Sequence, residues 1–394
     1  MLEIDDEVEL VLLLSAPTLQ ADEVERCRFL LRQLLDWNRV MGMLVMHRTV
    51  GAAWRNLSDH GLASADVFKP DYVLPVVEIC AKGQEELARQ QTIIASRLLA
   101  ALADAGVRGV VLKGAALGAL AYRALGMRLS HDLDLLVERP HLGAAHRALS
   151  GFGYVQGTWE ASNASVVPAT REEILKHTVY SHETFPYVRG VPDSALLDRH
   201  IVDLHFSIDL NRELGNDDIV TRLLDRRTTL EPIAGAPIYS LSLEDMFVFV
   251  CVHFAREARL RTETEELVDL VLYKITDLVA LLEAGLDQEL VVRYAYEAGM
   301  EREVYFALHH LSELYPTRAP GRLMDRLRPE STEYVHQIQD FASPAHKCQA
   351  VWRTWKSPIV KRFFDTRRIL EISTDAAPPS PAPAAAAALA NGPR

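Results

Sequence analysis

The chain has 394 residues, 49% of them hydrophobic and 24% charged, the profile of a globular protein long enough for more than one domain. Its 54 acids against 42 bases give a formal charge of −12, which disfavours broad nonspecific nucleic-acid binding. Cys27, Cys80, Cys251 and Cys348 lie far apart, form no zinc spacing, and read as buried reduced thiols.

The N-terminus, Met-Leu-Glu-Ile-Asp-Asp-Glu, lacks the positive start of a signal peptide. The longest apolar run, Met246 to Ala255, is too short to span a bilayer, so the expectation is a soluble, cytoplasmic protein without a membrane partner. From Asp22 to about Arg48, Phe29, Leu30, Leu34, Leu35, Val40, Leu44 and Val45 recur at helical spacing. A second long helix is predicted from Val76 to Ala105, ended by Gly106. Arg108 to Lys113 then reads as a strand, Ala115 to Ala124 as a helix, and Asp132 to Val137 as a second strand. Pro140 opens a helix that Gly151 closes. Residues 153–189 carry mixed signals and are read as strands, and Ile201 to Phe206 is a clearer one. After Ser242 the pattern is helical to about Leu370, and from Thr374 onward the chain is an Ala/Pro segment without the apolar variety to build a core. The expected organisation is a helical region over 1–90, an α/β core over 91–240, a helical domain over 241–372 and a disordered tail over 373–394. The expected fold class is α+β, a small mixed sheet flanked by helices.

Chemistry concentrates in His131-Asp-Leu-Asp-Leu-Leu-Val137. On a strand, Asp132 and Asp134 share one face while Leu133 and Leu135 point into a core. Hard oxygen ligands so placed suit Mg²⁺ or Mn²⁺. Alone, Asp-x-Asp more often marks a solvated sheet edge. Two features strengthen it. Leu112-Lys113-Gly114-Ala115 ends a strand at a glycine and opens a helix, where backbone can approach a phosphate closely. Val202-Asp203-Leu204-His205 offers a third acid on another strand. His205 is read as facing away from Asp203, as a packed structural histidine. His131 is expected to be exposed, His253 to sit at a core edge, and Arg256, Arg259 and Arg261 to form a solvated helix face, with a triphosphate cleft as the minority alternative. No Gly-x-x-x-x-Gly-Lys-Ser/Thr loop, Gly-x-Gly-x-x-Gly or Ser-His-Asp arrangement is present. An aspartyl-phosphate mechanism is disfavoured because the apolar residues follow Asp132 rather than precede it. A metal-dependent glycosyltransferase is disfavoured by the helical N-terminus.

Together these residues resemble the DNA polymerase β-like nucleotidyltransferase superfamily, with Gly114 matching its glycine turn, Asp132 and Asp134 its Asp-x-Asp pair, and Asp203 its third acid. More closely, the chain is similar to the bacterial "uncharacterised nucleotidyltransferase" family through Leu112-Lys113-Gly114, Arg128, Asp132 to Val137 and Asp203-Leu204-His205-Phe206. The helices from Trp37 to His47 and from Leu243 also look similar. The resemblance implies transfer of a nucleoside monophosphate from an NTP to an acceptor hydroxyl, with pyrophosphate released. It implies metal ligation by Asp132, Asp134 and Asp203, and contact with the nucleotide by Lys113, Gly114, Ala115 and Arg128. An acceptor that is a small molecule, peptide or protein is favoured over RNA by the acidic balance. Ala115 departs from the superfamily, which usually places Ser or Gly there. This motivates the alternative of a non-catalytic nucleotide-binding or partner-binding member.

Overall fold

The structure, a computed structural model, describes residues 4–64, 66–68, 72–192, 194–208, 217–231, 238–341 and 350–377. The chain divides into two compact units, one of residues 76–246 and one of residues 1–75 with 247–394.

The first of these carries the large sheet. Its strands are β1 (Gly109–Leu112), β2 (Asp132–Val137), β3 (Val155–Glu160), β4 (Ser165–Pro168), β5 (Tyr187–Gly190), β6 (Arg199–His205), β7 (Thr228–Leu230) and β8 (Ile238–Ser240). Their order across the sheet is β4-β3-β5-β6-β2-β1-β8-β7. β2 pairs antiparallel with β1 and parallel with β6, and β1 pairs parallel with β8, so the sheet is mixed, as expected. The chain enters it from the helix Val73–Asp104, which stops where Gly106, at φ +74°, turns it. The amide of Val107 then reaches back to the Leu102 carbonyl at 2.8 Å, one of the orphan acceptors at the helix end.

β2 is central. Leu133, Leu135, Leu136 and Val137 are buried, at about 1.5–3 kcal/mol each, and this apolar anchorage holds the acids of the strand in place. The short helix Gly114–Leu117 and the helix Asp217–Asp225 both pack against it. Gly126, at φ +72°, lies so close to the helix Val73–Asp104 that an added Cβ would stand 2.6 Å from the Glu85 Cα. The long loop before β2 is thereby laid against that helix.

The sequence reading needs three corrections in this unit. The helix predicted over 115–124 is α-helical only over Gly114–Leu117 and continues as a π-helical turn, Gly118–Tyr122. The stretch 153–189, read as strands, also holds a helix, Arg171–Tyr180, opened by a capping box in which Thr170 and Glu173 exchange hydrogen bonds. The helix from Pro140 begins as a 3-10 turn, Arg139–His141, before Leu142–Gly151.

The other unit is helical with a small second sheet. Residues 22–48 form two helices, Ala21–Leu30 and Trp37–Met46, rather than one, and Leu34, counted in the apolar stripe, is fully exposed between them. Phe254 packs against Phe306 and Phe363 in the core. The expectation of helices throughout 242–370 is overturned by β9 (Gln337–Phe341) and β10 (Ala350–Trp355), which pair antiparallel with β11 (Ile372–Ala377) in the order β11-β10-β9. Thr374 to Ala377, expected to begin a disordered tail, belong to β11, and the tail beyond lies outside the described residues. Cys27 and Cys251 are buried free thiols as expected, Cys80 is exposed, and Cys348 lies outside the described residues. Among the described residues no helix is long and apolar enough to cross a membrane.

Candidate functional site

The site begins with register. Asp134 of β2 is paired with Asp203 of β6, and Asp132 with Ile201. Register partners on neighbouring strands present side chains on the same face, about 4.8 Å apart at the backbone. Asp132, two residues before Asp134, stands on that face roughly 7 Å along the strand. The three aspartates therefore form an L on one side of the sheet. On the other flank Leu112 of β1 is paired with Asp134, which brings the Lys113-Gly114 turn beside the acids. Both turn residues have positive φ, +49° at Lys113 and +31° at Gly114. The Lys113 ammonium lies 3.1 Å from Asp134 Oδ1.

The acids act on one another electrostatically. Burial, and then the charges of Asp132, Asp134 and Glu183, push the Asp203 carboxyl well above the usual carboxylate range, with Lys113 pulling the other way. Carboxylates gathered in a partly desolvated cluster could hold a divalent cation. The all-oxygen character of the three aspartates suits a hard ion.

Ser130 was missed by sequence reasoning. It precedes Asp132 by two residues, and its Oγ donates toward the Asp132 backbone and side-chain oxygens at 3.3 Å. The same hydroxyl borders the glycine turn, 3.4 Å from where a Cβ on Gly114 would stand. Gly114, Ala115, Arg128 and Ser130 line one cleft with about 350 Å³ of open space, together with Gln91 and Tyr122. The three aspartates are not among its lining residues; Ser130 links the two. Thus Gly114, Ala115 and Arg128 gather at the cleft, while Lys113 joins the acids.

The reading of His205 is corrected. Positions 203 and 205 are two apart and share a face under strand periodicity. The His205 ring is buried, with Nε2 2.8 Å from Asp134 Oδ1 and 3.4 Å from Glu183 Oε2. Glu183 reaches the site because residues 182–184 run against β6: the Thr184 amide donates to the Leu204 carbonyl at 2.9 Å, and the Phe206 amide to the His182 carbonyl at 3.0 Å. Neither His182 nor Glu183 was flagged in the sequence. His182, Glu183 and His205 offer ligand atoms all within 4.8 Å of one another.

The remaining candidates take structural places. His131 is exposed, and His253 Nδ1 lies 3.1 Å from Glu257, both as expected. The arginines of the 256–261 group are not a solvated face. Arg259 stacks over Trp352 at 4.7 Å, and Arg261 pairs with Asp340 at 3.0 Å, all within the helical unit.

No curated protein matches the chain. A family model described as uncharacterised nucleotidyltransferase matches residues 33–316, which include the large sheet and every residue of the carboxylate cluster. The chain belongs to the uncharacterised nucleotidyltransferase family, whose general chemistry is nucleotidyl transfer.

Proposed function

We propose that the protein transfers a nucleoside monophosphate from an NTP to an acceptor hydroxyl of a small molecule, peptide or protein, with release of pyrophosphate. The observation that carries this reading is the L of carboxylates: Asp134 beside Asp203 on parallel strands, Asp132 on the same face, and the Lys113-Gly114 turn at their edge. Asp132, Asp134 and Asp203 would hold Mg²⁺ or Mn²⁺, ions that neutralise charge on the triphosphate and acidify the acceptor hydroxyl.

The chain's own groups divide the remaining work. Gly114 lets backbone amides approach the phosphates, and Lys113, now paired with Asp134, can turn to a phosphate oxygen. Arg128 and Ala115 line the adjoining cleft. The acceptor oxygen bonds to the α-phosphorus as the bond to the pyrophosphate oxygen breaks. Asp203, whose proton affinity is raised by burial and by its anionic neighbours, takes the hydroxyl proton.

Ala115 motivates the competing reading of a nucleotide-binding member without turnover, because it carries no hydroxyl to grip a phosphate. Ser130, beside Gly114, offers one from the other side of the turn. Incubating the protein with each labelled NTP, Mg²⁺ and cell extract, with mass spectrometry of the products, separates the two readings. Label on a new product supports transfer. NTP that binds with no label leaving it, whatever the extract, supports the non-catalytic reading.

A further inference from the structure

The carboxylate L has a second shoulder made of nitrogen ligands. His205 Nε2 lies 2.8 Å from Asp134 Oδ1 and 3.4 Å from Glu183 Oε2, and His182 Nε2 lies 3.5 Å from the same Glu183 oxygen. Only the first of these is the length of a charge-assisted hydrogen bond, about 2.7–2.9 Å. The other two are too long for that and match something else. A tetrahedron of zinc ligands with bonds of about 2.0–2.1 Å has edges of about 3.3–3.4 Å.

Three further observations fit a coordination site. Both imidazoles are buried, so their donor atoms are already stripped of bulk water. The backbone that carries His182 and Glu183 is tied to β6 on both sides, through Thr184 to Leu204 and through His182 to Phe206. And His182 Nδ1 meets Ser181 Oγ at 3.4 Å, a partner on the far ring nitrogen of the kind that orients a ligating histidine.

We infer that His182, Glu183 and His205 form a three-ligand site for a borderline transition-metal ion of the zinc class, water being the fourth ligand, beside the hard-ion site. Two imidazoles and one carboxylate select against Mg²⁺, which takes oxygen ligands in octahedral array, and for Zn²⁺ or Co²⁺. Asp203 stands outside this set. The inference rests on the ligand geometry and holds whether or not the carboxylate L transfers nucleotides.

The test uses the full chain without nucleotide, and no transfer rate is read, so its failure leaves the transferase reading standing. Equilibrium dialysis against Zn²⁺ with metal analysis gives stoichiometry and affinity, and Co²⁺ loading gives the visible spectrum. The expected result is one bound Zn²⁺ per chain and the intense d–d bands of four-coordinate Co²⁺. Affinity should fall roughly tenfold or more in His182→Ala and in Glu183→Gln. Glu183→Gln keeps shape and volume, so it decides the matter if His182→Ala does not fold by circular dichroism. The inference is overturned if the wild-type chain binds no Zn²⁺ or if affinity ignores Glu183→Gln.

Discussion

Asp269 is fully buried and Asp203 half-buried, and the protein treats the two charges in opposite ways. In the helical unit, Asp269 is fully buried and its charge is answered inside the fold. Arg368, itself fully buried, places Nε 3.1 and 3.2 Å from the two carboxylate oxygens and a second nitrogen against Oδ1, while Thr264 Oγ1 donates at 2.9 Å. Glu257 is handled in the same manner. Burial alone would raise its pKa, yet His253 and Lys274 hold it well below the usual range. In the sheet unit, burial and then the charges of Asp132, Asp134 and Glu183 raise the pKa of Asp203, with Lys113 pulling the other way. A buried acid with its own cation is scaffolding. Acids that repel one another, as around Asp203, are what a bound cation would relieve.

The contrast can be broken at either end, and the largest effect is expected in the scaffold. Arg368→Leu strands a buried carboxylate and should cost about 3–5 kcal/mol of stability in chemical denaturation. A variant as stable as wild type would show that Asp269 does not depend on its partner. Two buried histidines give the next effect. Burial lowers His47 to about 3, with Arg368 adding to the shift, and burial with Arg189 lowers His200 to about 4. Folded values depressed below the unfolded one mean stability fully present above pH about 6.5 and lost as pH falls. Each histidine should cost roughly 1.4 kcal/mol per pH unit, levelling near pH 4 for His200 and near 3 for His47. Melting curves between pH 7 and 4.5 check this, and a flat profile would contradict it. For Asp203 the sign reverses: its raised folded value means stability present below the ordinary carboxylate pKa and lost as pH rises through the folded one. The smallest effect follows from that sign. Without divalent metal, Asp203→Asn should raise stability, by about 1 kcal/mol, because it removes a charge that its neighbours repel. A lower melting temperature would place Asp203 with Asp269 as scaffolding.

Much of the sheet unit was legible because its signals are local. Gly106 stops a helix, the leucines of β2 fix its inward residues, and period-two spacing puts Asp132 and Asp134 on one face. The same rule places His205 on the face of Asp203 and not on the opposite one. Thr170 with Glu173 was a capping box readable in the sequence. Other features depend on contacts that no local pattern carries. Glu183 reaches the site only through backbone pairing with β6. The β9–β11 sheet is assembled from short segments, of which Gln337–Phe341 carries Gln and Asp where an apolar alternation would have marked a strand. Leu34 fits a helical stripe by spacing but falls in a break between helices.

The central claim is that Asp203 works in transfer and does not merely complete the sheet, and Asp203→Asn tests it most directly. The substitution keeps the volume of the side chain but removes its charge and its capacity to take a proton. NTP affinity by calorimetry, with Mg²⁺ present, is measured beside the single-turnover rate of label transfer to the acceptor found in extract. The account predicts NTP binding nearly intact and transfer slower by roughly a hundredfold or more. Transfer at the wild-type rate would contradict it.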